Sequence, residues 1–210
     1  MSEIRSFDEL LDAVKDVEGW MSPDQAKRLF TASQGARQGD VIVEIGSFRG
    51  RSTVILAGAA ADGVEVVAID PHAGNDRGPQ EFEGFEQEAS EDNRVFNANL
   101  AAAGVAHRVR HVRAFSDKAH DEVTGRISVL YIDGAHRYGP ARTDIRDWGA
   151  RVAPGGTMLI HDSFSSLGVT GAIMRELVVG GRFRYIGRAR SLTEYRADLD
   201  GALGSRLSNA

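Results

Sequence analysis

The 210-residue sequence contains no cysteine. This absence excludes a disulfide-bonded scaffold, a thiolate zinc site, a cysteine nucleophile and thiol redox chemistry. The sequence also lacks any apolar run of the roughly 18 residues that a membrane-spanning helix needs. Its first residues do not combine a basic segment with an apolar one, as a secretory signal does. We therefore expect a cytoplasmic protein without a membrane partner.

The chain has a net negative charge, which bears on whether it binds a nucleic acid. It carries 25 Lys and Arg against 30 Asp and Glu, for a formal net charge of −5, which disfavours binding to a phosphate backbone. With 42% hydrophobic and 26% charged residues, the composition is that of an ordinary globular protein and excludes general disorder. Because neither an internal repeat nor a linker is visible, we expect one domain over residues 1–210.

The first 37 residues are predicted to form a helical cap. Apolar residues recur at helical spacing from Ile4 to Val17. The sequence Ser22-Pro23-Asp24 is a second helix start signal, an N-cap residue followed by proline at the first helical position. No strand pattern precedes residue 41, so this part of the chain is expected to be helical only.

From residue 41 onward, short β-branched runs alternate with helical segments. The predicted strands are 41–45, 64–69, 109–115, 128–132 and 156–161, followed by 183–187 and 192–196. Continuous apolar strands separated by helices indicate a parallel sheet that is covered on both faces. We therefore predict an α/β fold with a doubly wound, mostly parallel seven-stranded sheet and an antiparallel C-terminal hairpin. The polar stretch 73–93 is predicted to be a mobile lid.

The turn after the first strand is typical of a nucleotide-binding loop. It reads E-I-G-S-F-R-G-R-S over residues 44–52. Its glycines, Gly46 and Gly50, allow the backbone to turn tightly and a ligand to approach. Asp70 ends the second strand, at the position where a carboxylate accepts hydrogen bonds from ribose hydroxyls in open α/β sheets. Together these residues predict a nucleotide cofactor at the carboxyl ends of the strands.

The acidic residue Glu44 favours one such cofactor over others. A dinucleotide fingerprint has three glycines in the pattern G-x-G-x-x-G, whereas Gly46 and Gly50 are separated by three residues. A carboxylate repels a pyrophosphate but attracts a cation. S-adenosylmethionine carries an amino group and a sulfonium and no phosphate, so the pattern favours this cofactor. A nicotinamide-dependent oxidoreductase is the weaker alternative.

These motifs resemble those of the class I S-adenosylmethionine-dependent methyltransferases, which have a Rossmann-like fold. More narrowly, they resemble the small-molecule O-methyltransferases that include the catechol and macrolide-sugar enzymes. The motifs are E-I-G-S-F-R-G-R-S at 44–52, I-D at 69–70, I-D-G-A-H-R-Y at 132–138 and P-G-G-T-M-L-I-H-D at 154–162. The resemblance implies methyl transfer to a hydroxyl of a sugar, a phenol or another natural product. It implies cofactor binding by Glu44, Gly46, Ser47, Phe48, Gly50, Ser52, Asp70, Phe115, Ser116 and Asp133.

The resemblance also implies a metal site at the ends of the fourth and fifth strands. Asp133 and Asp162 would share a divalent cation such as Mg²⁺, which lowers the pKa of a bound hydroxyl. The related enzymes have an amide or an acid directly after the aspartate that matches Asp162, and this sequence has Ser163 there. His161 is a candidate replacement ligand, although an imidazole favours Mn²⁺, Zn²⁺ or Fe²⁺ over Mg²⁺.

His136 lies where the catechol enzymes have a lysine that acts as the general base. A histidine is a natural proton acceptor at neutral pH. We therefore expect His136 and Asp133 to be catalytic, with Tyr138, Arg142 and Glu194 in contact with the substrate.

Two other functions are compatible with the same motifs. An RNA methyltransferase would use the same cofactor, but the sequence lacks an Asn/Asp-Pro-Pro-Tyr/Phe motif for amino-group methylation and a cysteine for attack on a pyrimidine. A non-catalytic cofactor-binding module would result if Asp133, His136 and Asp162 had only a structural role. The identity of the acceptor is not encoded in any motif, and a homodimer is a further open expectation.

Overall fold

The computed structural model describes residues 5–73, 86–179 and 182–198. The helices are α1 (Phe7–Ala13), α2 (Pro23–Gln34), α3 (Arg51–Ala59), α4 (Glu86–Ala102), α5 (Tyr138–Thr143) and α6 (Leu167–Ile173). The strands are β1 (Asp40–Ile45), β2 (Glu65–Ile69), β3 (Val109–Val112), β4 (Arg126–Ile132), β5 (Val152–Ile160), β6 (Arg184–Ala189) and β7 (Leu192–Arg196). Two π-helical turns extend α5 and α6, over Asp144–Trp148 and Met174–Val178.

The seven strands form one sheet in the order β3-β2-β1-β4-β5-β7-β6. The first five are parallel, and β7 runs antiparallel to both β5 and β6. The predicted doubly wound sheet with an antiparallel C-terminal hairpin is therefore confirmed. Strand order reverses direction between β1 and β4, and ligands of such sheets bind in the crevice at the carboxyl ends of the strands at this point.

Both faces of the sheet are covered by apolar packing. On one face the strands pack against α1, α2 and α3, with Leu10, Leu29 and Ile55 buried between them. On the other face they pack against α5, α6 and the turns that extend them, where Trp148 and Leu177 are buried. Burial on both faces explains why the strands are continuous apolar runs in the sequence. Within the described ranges, no helix is long and apolar enough to cross a membrane.

The two helices of the N-terminal cap begin at capping boxes. Ser6 and Glu9 form the box of α1, and Ser22 and Gln25 form the box of α2, with Pro23 at its first position. In each box the serine hydroxyl accepts a backbone N–H, and the longer side chain accepts the N–H of the serine. These local contacts begin α2 where the sequence predicts it, and they begin α1 at Ser6, for which no start was predicted.

The observed elements differ from the predicted ones at three places. Helix α4 already begins at Glu86, so residues 86–93 of the predicted lid are helical. Residues 74–85 lie outside the described residues, and the lid stays a prediction. Strand β3 ends at Val112, because a 3-10 turn begins at Ser116. Strand β5 begins earlier than predicted and contains a bulge, where Gly155 has a φ of 77°.

Candidate active site

The loop between β1 and α3 lies directly against the loop that follows β4. Gly46 has a φ of 83°, and its N–H donates to the carbonyl oxygen of Ile69 at 2.9 Å. A Cβ on Gly46 would lie 2.2 Å from the carbonyl oxygen of Asp133. Only glycine allows this approach, because any side chain would overlap with backbone atoms. The predicted cofactor loop and the Asp133 loop are therefore neighbours.

Glu44 lies beneath this loop with a fully buried side chain. Its Oε1 accepts a hydrogen bond from Ser52 Oγ and its Oε2 accepts one from Thr53 Oγ1, both at 2.5 Å. Burial raises the pKa of Glu44 to about 8, although the two hydroxyl donors act in the opposite direction. Glu44 therefore connects the end of β1 to the first turn of α3. Its contact with the cofactor stays a prediction.

We expect Glu44→Gln to reduce the pH dependence of stability. The pKa of Glu44 is about 8 in the folded protein and 4.5 in the reference state, so the folded state keeps a proton that the unfolded chain releases. The stabilisation from this proton is complete below pH 4.5 and is lost as the pH rises through about 8. Glutamine is neutral and still offers an acceptor and a donor to the two hydroxyls.

Urea unfolding near pH 5 and near pH 9 measures this effect, because the window between the two pKa values lies almost wholly inside that range. The wild type should lose more stability over this range than Glu44→Gln. Glu65→Gln, at the exposed start of β2, is the control and should follow the wild type. Equal losses in all three proteins would contradict a proton on buried Glu44.

Asp70, at the end of β2, holds the same loop from the other side. Its Oδ2 accepts the N–H groups of Ser47 and Phe48 at 2.9 Å each, and its Oδ1 accepts the N–H of His72 at 2.8 Å. The Nε2 of His72 lies 2.7 Å from the carbonyl oxygen of Phe48. These contacts hold Phe48 at a φ of 45°, which costs a non-glycine residue about 1–2 kcal/mol. Oδ1, which accepts only the N–H of His72 here, has a second lone pair, and the ribose contact of Asp70 stays a prediction.

Two further residues of the loop support a bound ligand. The Ser47 side chain is buried, and its Oγ has no hydrogen-bond partner among the described residues. Buried polar groups are normally satisfied, so this hydroxyl fits a group that a ligand would contact. Gly50 begins α3 with a φ of 84°, and a Cβ there would lie 3.1 Å from the ring of Phe96. The loop therefore offers a buried hydroxyl to a ligand, whereas the glycine at position 50 makes room for the ring of Phe96.

The predicted adenine contacts follow β3. Phe115 is half exposed, and Ser116 Oγ donates to Asp144 Oδ1 at 2.5 Å. Burial raises the pKa of Asp144 to about 6. The indole N–H of Trp148 donates to the carbonyl oxygen of Ser116 at 3.2 Å. Ser116 is thus fixed from both sides by the turn after α5, and Asp144 is a supporting residue that the sequence analysis did not identify.

Four polar side chains meet where β4 and β5 end. His136 Nε2 lies 2.7 Å from Asp162 Oδ2. His161 Nδ1 lies 3.1 Å from Asp133 Oδ1 and 3.3 Å from Asp162 Oδ2. The hydroxyl of Tyr131 donates to Asp133 Oδ2 at 2.8 Å. The structure therefore brings together the four residues that the sequence predicts and adds Tyr131.

The charges of this cluster determine which nitrogen of His136 can accept a proton. The contacts with His136 and His161 hold the pKa of Asp162 far below its usual range. Burial lowers the pKa of His161, but the contacts with Asp133 and Asp162 outweigh it and raise the value to about 10. Asp162 is therefore ionised and can only accept hydrogen bonds. The proton in the 2.7 Å contact belongs to His136 Nε2, so whenever the ring is neutral its lone pair is on Nδ1.

The same cluster was the predicted metal site. Single ligand atoms of Asp133, His161 and Asp162 lie within 4.8 Å of one another, close enough for one cation. Ser163 turns away, because its Oγ donates to the carbonyl oxygen of Ile160 and contacts Thr193 Oγ1 at 2.7 Å. Hydrogen-bond donors of the protein already face the two carboxylates. Asp133, Asp162 and His161, whose buried Nδ1 has no hydrogen-bond partner among the described residues, could hold one cation, and the cation stays a prediction.

Two of the three predicted substrate residues lie on α5, and the third lies on β7. Tyr138 begins α5 and is half exposed. Arg142 forms a 2.6 Å ion pair with Glu176, which joins α5 to the turn after α6. Glu194 forms a 2.6 Å ion pair with Arg28, which joins β7 to α2. Arg142 and Glu194 therefore connect elements of the fold, and all three substrate contacts stay predictions.

The fold and the site together define a class. A glycine loop at the point where strand order reverses, beside a histidine and carboxylates at neighbouring strand ends, is typical of an enzyme that uses a nucleotide cofactor. The chain belongs to the methyltransferase domain family, whose model matches residues 43–163. The matched range runs from β1 to the end of β5 and contains both the glycine loop and the four-residue cluster. The methyltransferase that the sequence motifs predict is therefore confirmed.

Solved structures of similar fold include several O-methyltransferases. TomG from Streptomyces achromogenes, involved in tomaymycin synthesis and solved with S-adenosylmethionine, is 18% identical with a TM-score of 0.61, covering 94% of this chain and 91% of that one. NovP is 15% identical with a TM-score of 0.67, covering 84% and 81%. An O-methyltransferase from Bacillus cereus with bound S-adenosylhomocysteine is 19% identical with a TM-score of 0.61, covering 90% of each chain. These likenesses confirm the Rossmann-like methyltransferase fold.

Proposed function

We propose that this protein transfers a methyl group from S-adenosylmethionine to a hydroxyl of a small molecule. The observation that carries the proposal is the 2.7 Å contact between His136 Nε2 and Asp162 Oδ2, beside the glycine loop. This pair is a general base with its orienting carboxylate. The family supports methyl transfer, and the cofactors bound to TomG and to the Bacillus cereus enzyme support S-adenosylmethionine.

The residues around the glycine loop fit this cofactor. Glu44, Gly46, Ser47 and Ser52 would hold its methionine end, with Phe48 and Gly50 shaping the loop. Asp70 would hold the ribose, Phe115 and Ser116 the adenine, and Asp133 the side that faces the reaction centre. When bound, the cofactor supplies a methyl group on a positively charged sulfur, which reacts with an oxygen nucleophile.

His136 would activate that oxygen. Its Nδ1 accepts the proton of the acceptor hydroxyl while the oxygen forms its bond to the methyl group. Asp162, which accepts the Nε2 proton at 2.7 Å, keeps the ring in this tautomer and stabilises the imidazolium that forms. Asp133 adds a second negative charge nearby.

The proposal is tested first by ligand binding. Calorimetry should show that S-adenosylhomocysteine binds in the micromolar range, which corresponds to about 8 kcal/mol, and that NAD does not bind. NAD binding without S-adenosylhomocysteine binding would contradict the cofactor assignment. It would favour the oxidoreductase alternative.

Turnover then distinguishes the acceptor classes. S-adenosylmethionine is incubated with a phenol such as catechol, with a free sugar and with single-stranded RNA, each with and without EDTA. We expect methylation of a hydroxylated small molecule, and loss of this turnover in EDTA would support the predicted cation. Methylation of RNA that is lost at high salt, where phosphate contacts are screened, would contradict this function. It would support the RNA methyltransferase alternative. Cofactor binding without turnover of any acceptor would support the binding module.

A further inference from the structure

The loop that follows β5 and the turn between β6 and β7 lie side by side at the reaction centre. The N–H of Ser163 donates to the carbonyl oxygen of Ser191 at 2.9 Å. The side-chain nitrogen of Gln25 lies 3.1 Å from Ser191 Oγ and 3.1 Å from His161 Nε2. The turn is therefore joined to the residues on both sides of Asp162, and it borders the four-residue cluster.

Two bulky residues of this region have a backbone conformation that favours glycine. Phe164, in the loop after β5, has a φ of 67°, and Arg190, the first residue of the two-residue turn before β7, has a φ of 53°. Such turn positions are usually occupied by glycine, asparagine or aspartate, because left-handed backbone is unfavourable for other residues. Strained residues of this kind are concentrated at functional sites. The strain therefore indicates that these two side chains have a role in the site.

The same region offers an apolar ring and two cations to a ligand. The Phe164 side chain is 55% exposed, and the guanidinium carbon of Arg188 lies 5.9 Å from the centre of its ring. Arg188 and Arg190 are exposed, and in the described parts of the chain no carboxylate forms an ion pair with either. The acid of the neighbouring strand, Glu194, is already paired with Arg28 at 2.6 Å. Both guanidinium groups are therefore available to an anion.

The charges of the region give such a ligand a direction. A guanidinium presents its N–H groups as a planar fork that matches a carboxylate. Asp133 and Asp162, by contrast, place carboxylates in the cluster that contains His136, and like charges repel. The anionic end of an acceptor is therefore favoured at the two arginines, and its hydroxyl end is favoured at His136.

We propose that Arg188, Arg190 and the ring of Phe164 form a subsite for the acid group of the acceptor, which is therefore a hydroxylated aromatic acid. The two guanidinium groups bind the carboxylate, and the exposed ring packs against the aromatic body of the acceptor. The inference rests on the proposed function and names the substrate class of the same site. It is tested by binding, so its failure is distinct from a failure to methylate.

The first measurement compares two probes that differ only in the acid group. Binding of 3,4-dihydroxybenzoate and of catechol is followed by calorimetry in metal-depleted buffer, with S-adenosylhomocysteine present and absent. An exposed ion pair adds about threefold to affinity, so two of them should make the acid bind about tenfold more tightly than catechol. Equal affinities, or no binding of the acid, would overturn the inference. Tight binding of the acid without its methylation would support the subsite and contradict the proposed methyl transfer.

The second measurement repeats this comparison in two variants. Arg188→Gln removes one cation, and Arg190→Gly removes the other and also relieves the left-handed strain. Each variant should reduce the preference for the acid about threefold, with the affinity for catechol unchanged. In urea unfolding, Arg190→Gly should be at least as stable as the wild type, because glycine adopts this φ without strain. A purely structural role of the Arg190 side chain would instead lower the stability.

Arg184→Gln is the matched control for these variants. Arg184 is an exposed arginine of the same strand, and it pairs with Asp198 at the other end of the hairpin. Its variant should keep the wild-type preference for the acid. An unchanged preference in both Arg188→Gln and Arg190→Gly, or an equal reduction in Arg184→Gln, would overturn the inference.

Discussion

Replacing His136 with alanine should slow methyl transfer by about 10²–10⁴-fold, the usual contribution of a general base. The expected loss follows from the position of the ring. Its Nε2 proton is held by the ionised Asp162 at 2.7 Å, and its Nδ1 is the nitrogen that can take a proton from the acceptor. Single-turnover rates with S-adenosylmethionine and the acceptor identified by turnover measure the effect.

Cofactor binding separates this effect from unfolding. S-adenosylhomocysteine should bind His136→Ala as tightly as the wild type, because the His136 ring pairs with Asp162, which follows β5 and lies outside the glycine loop. His107→Ala, at an exposed histidine outside the cluster, should keep the full rate. A wild-type rate in His136→Ala would contradict the role of His136 as general base. It would indicate that the transfer depends only on the alignment of the reactants.

The fold could be predicted from the sequence because its main signals are local. Strands such as Val41–Ile45 are continuous apolar runs, since helices cover both faces of the sheet. Ser22-Pro23 begins α2 at the predicted residue, because capping is decided by neighbours in the sequence. The start of α4 was missed because its first turn is mostly acidic and lacks an apolar stripe.

The candidate site was only partly predictable, because its supporting contacts join distant parts of the chain. Asp133, His136, His161 and Asp162 follow strand ends, and parallel strands bring such positions to one edge. Gln25 lies 136 residues before His161, the residue it contacts. Its only sequence signal is the third position of a capping box, which predicts a helix start and no role in the site. Glu194, which the sequence predicts to contact substrate, is paired with Arg28 across 166 residues of sequence, and its substrate contact stays a prediction.

The second large effect is expected from Gly46→Ala, which should destabilise the protein and abolish tight cofactor binding. Two costs combine at this residue. A left-handed φ of 83° costs alanine about 1–2 kcal/mol. The added Cβ would also lie 2.2 Å from the Asp133 carbonyl oxygen and 2.7 Å from its carbon. Backbone cannot rotate away as a side chain can, so overpacking adds about 1–3 kcal/mol more.

Gly39→Ala separates these two costs, because Gly39 has a φ of 86° and no atom within 4 Å of an added Cβ. It carries the left-handed strain without the clash and should lose only about 1–2 kcal/mol. The difference between the two variants in the free energy of unfolding, measured in urea, therefore gives the cost of the clash between the two loops. S-adenosylhomocysteine calorimetry should show wild-type affinity for Gly39→Ala and a loss of at least about tenfold, or about 1.4 kcal/mol, for Gly46→Ala. Equal destabilisation with equal affinity would mean that the glycine loop and the Asp133 loop do not touch, and the reaction centre would then lie apart from the cofactor.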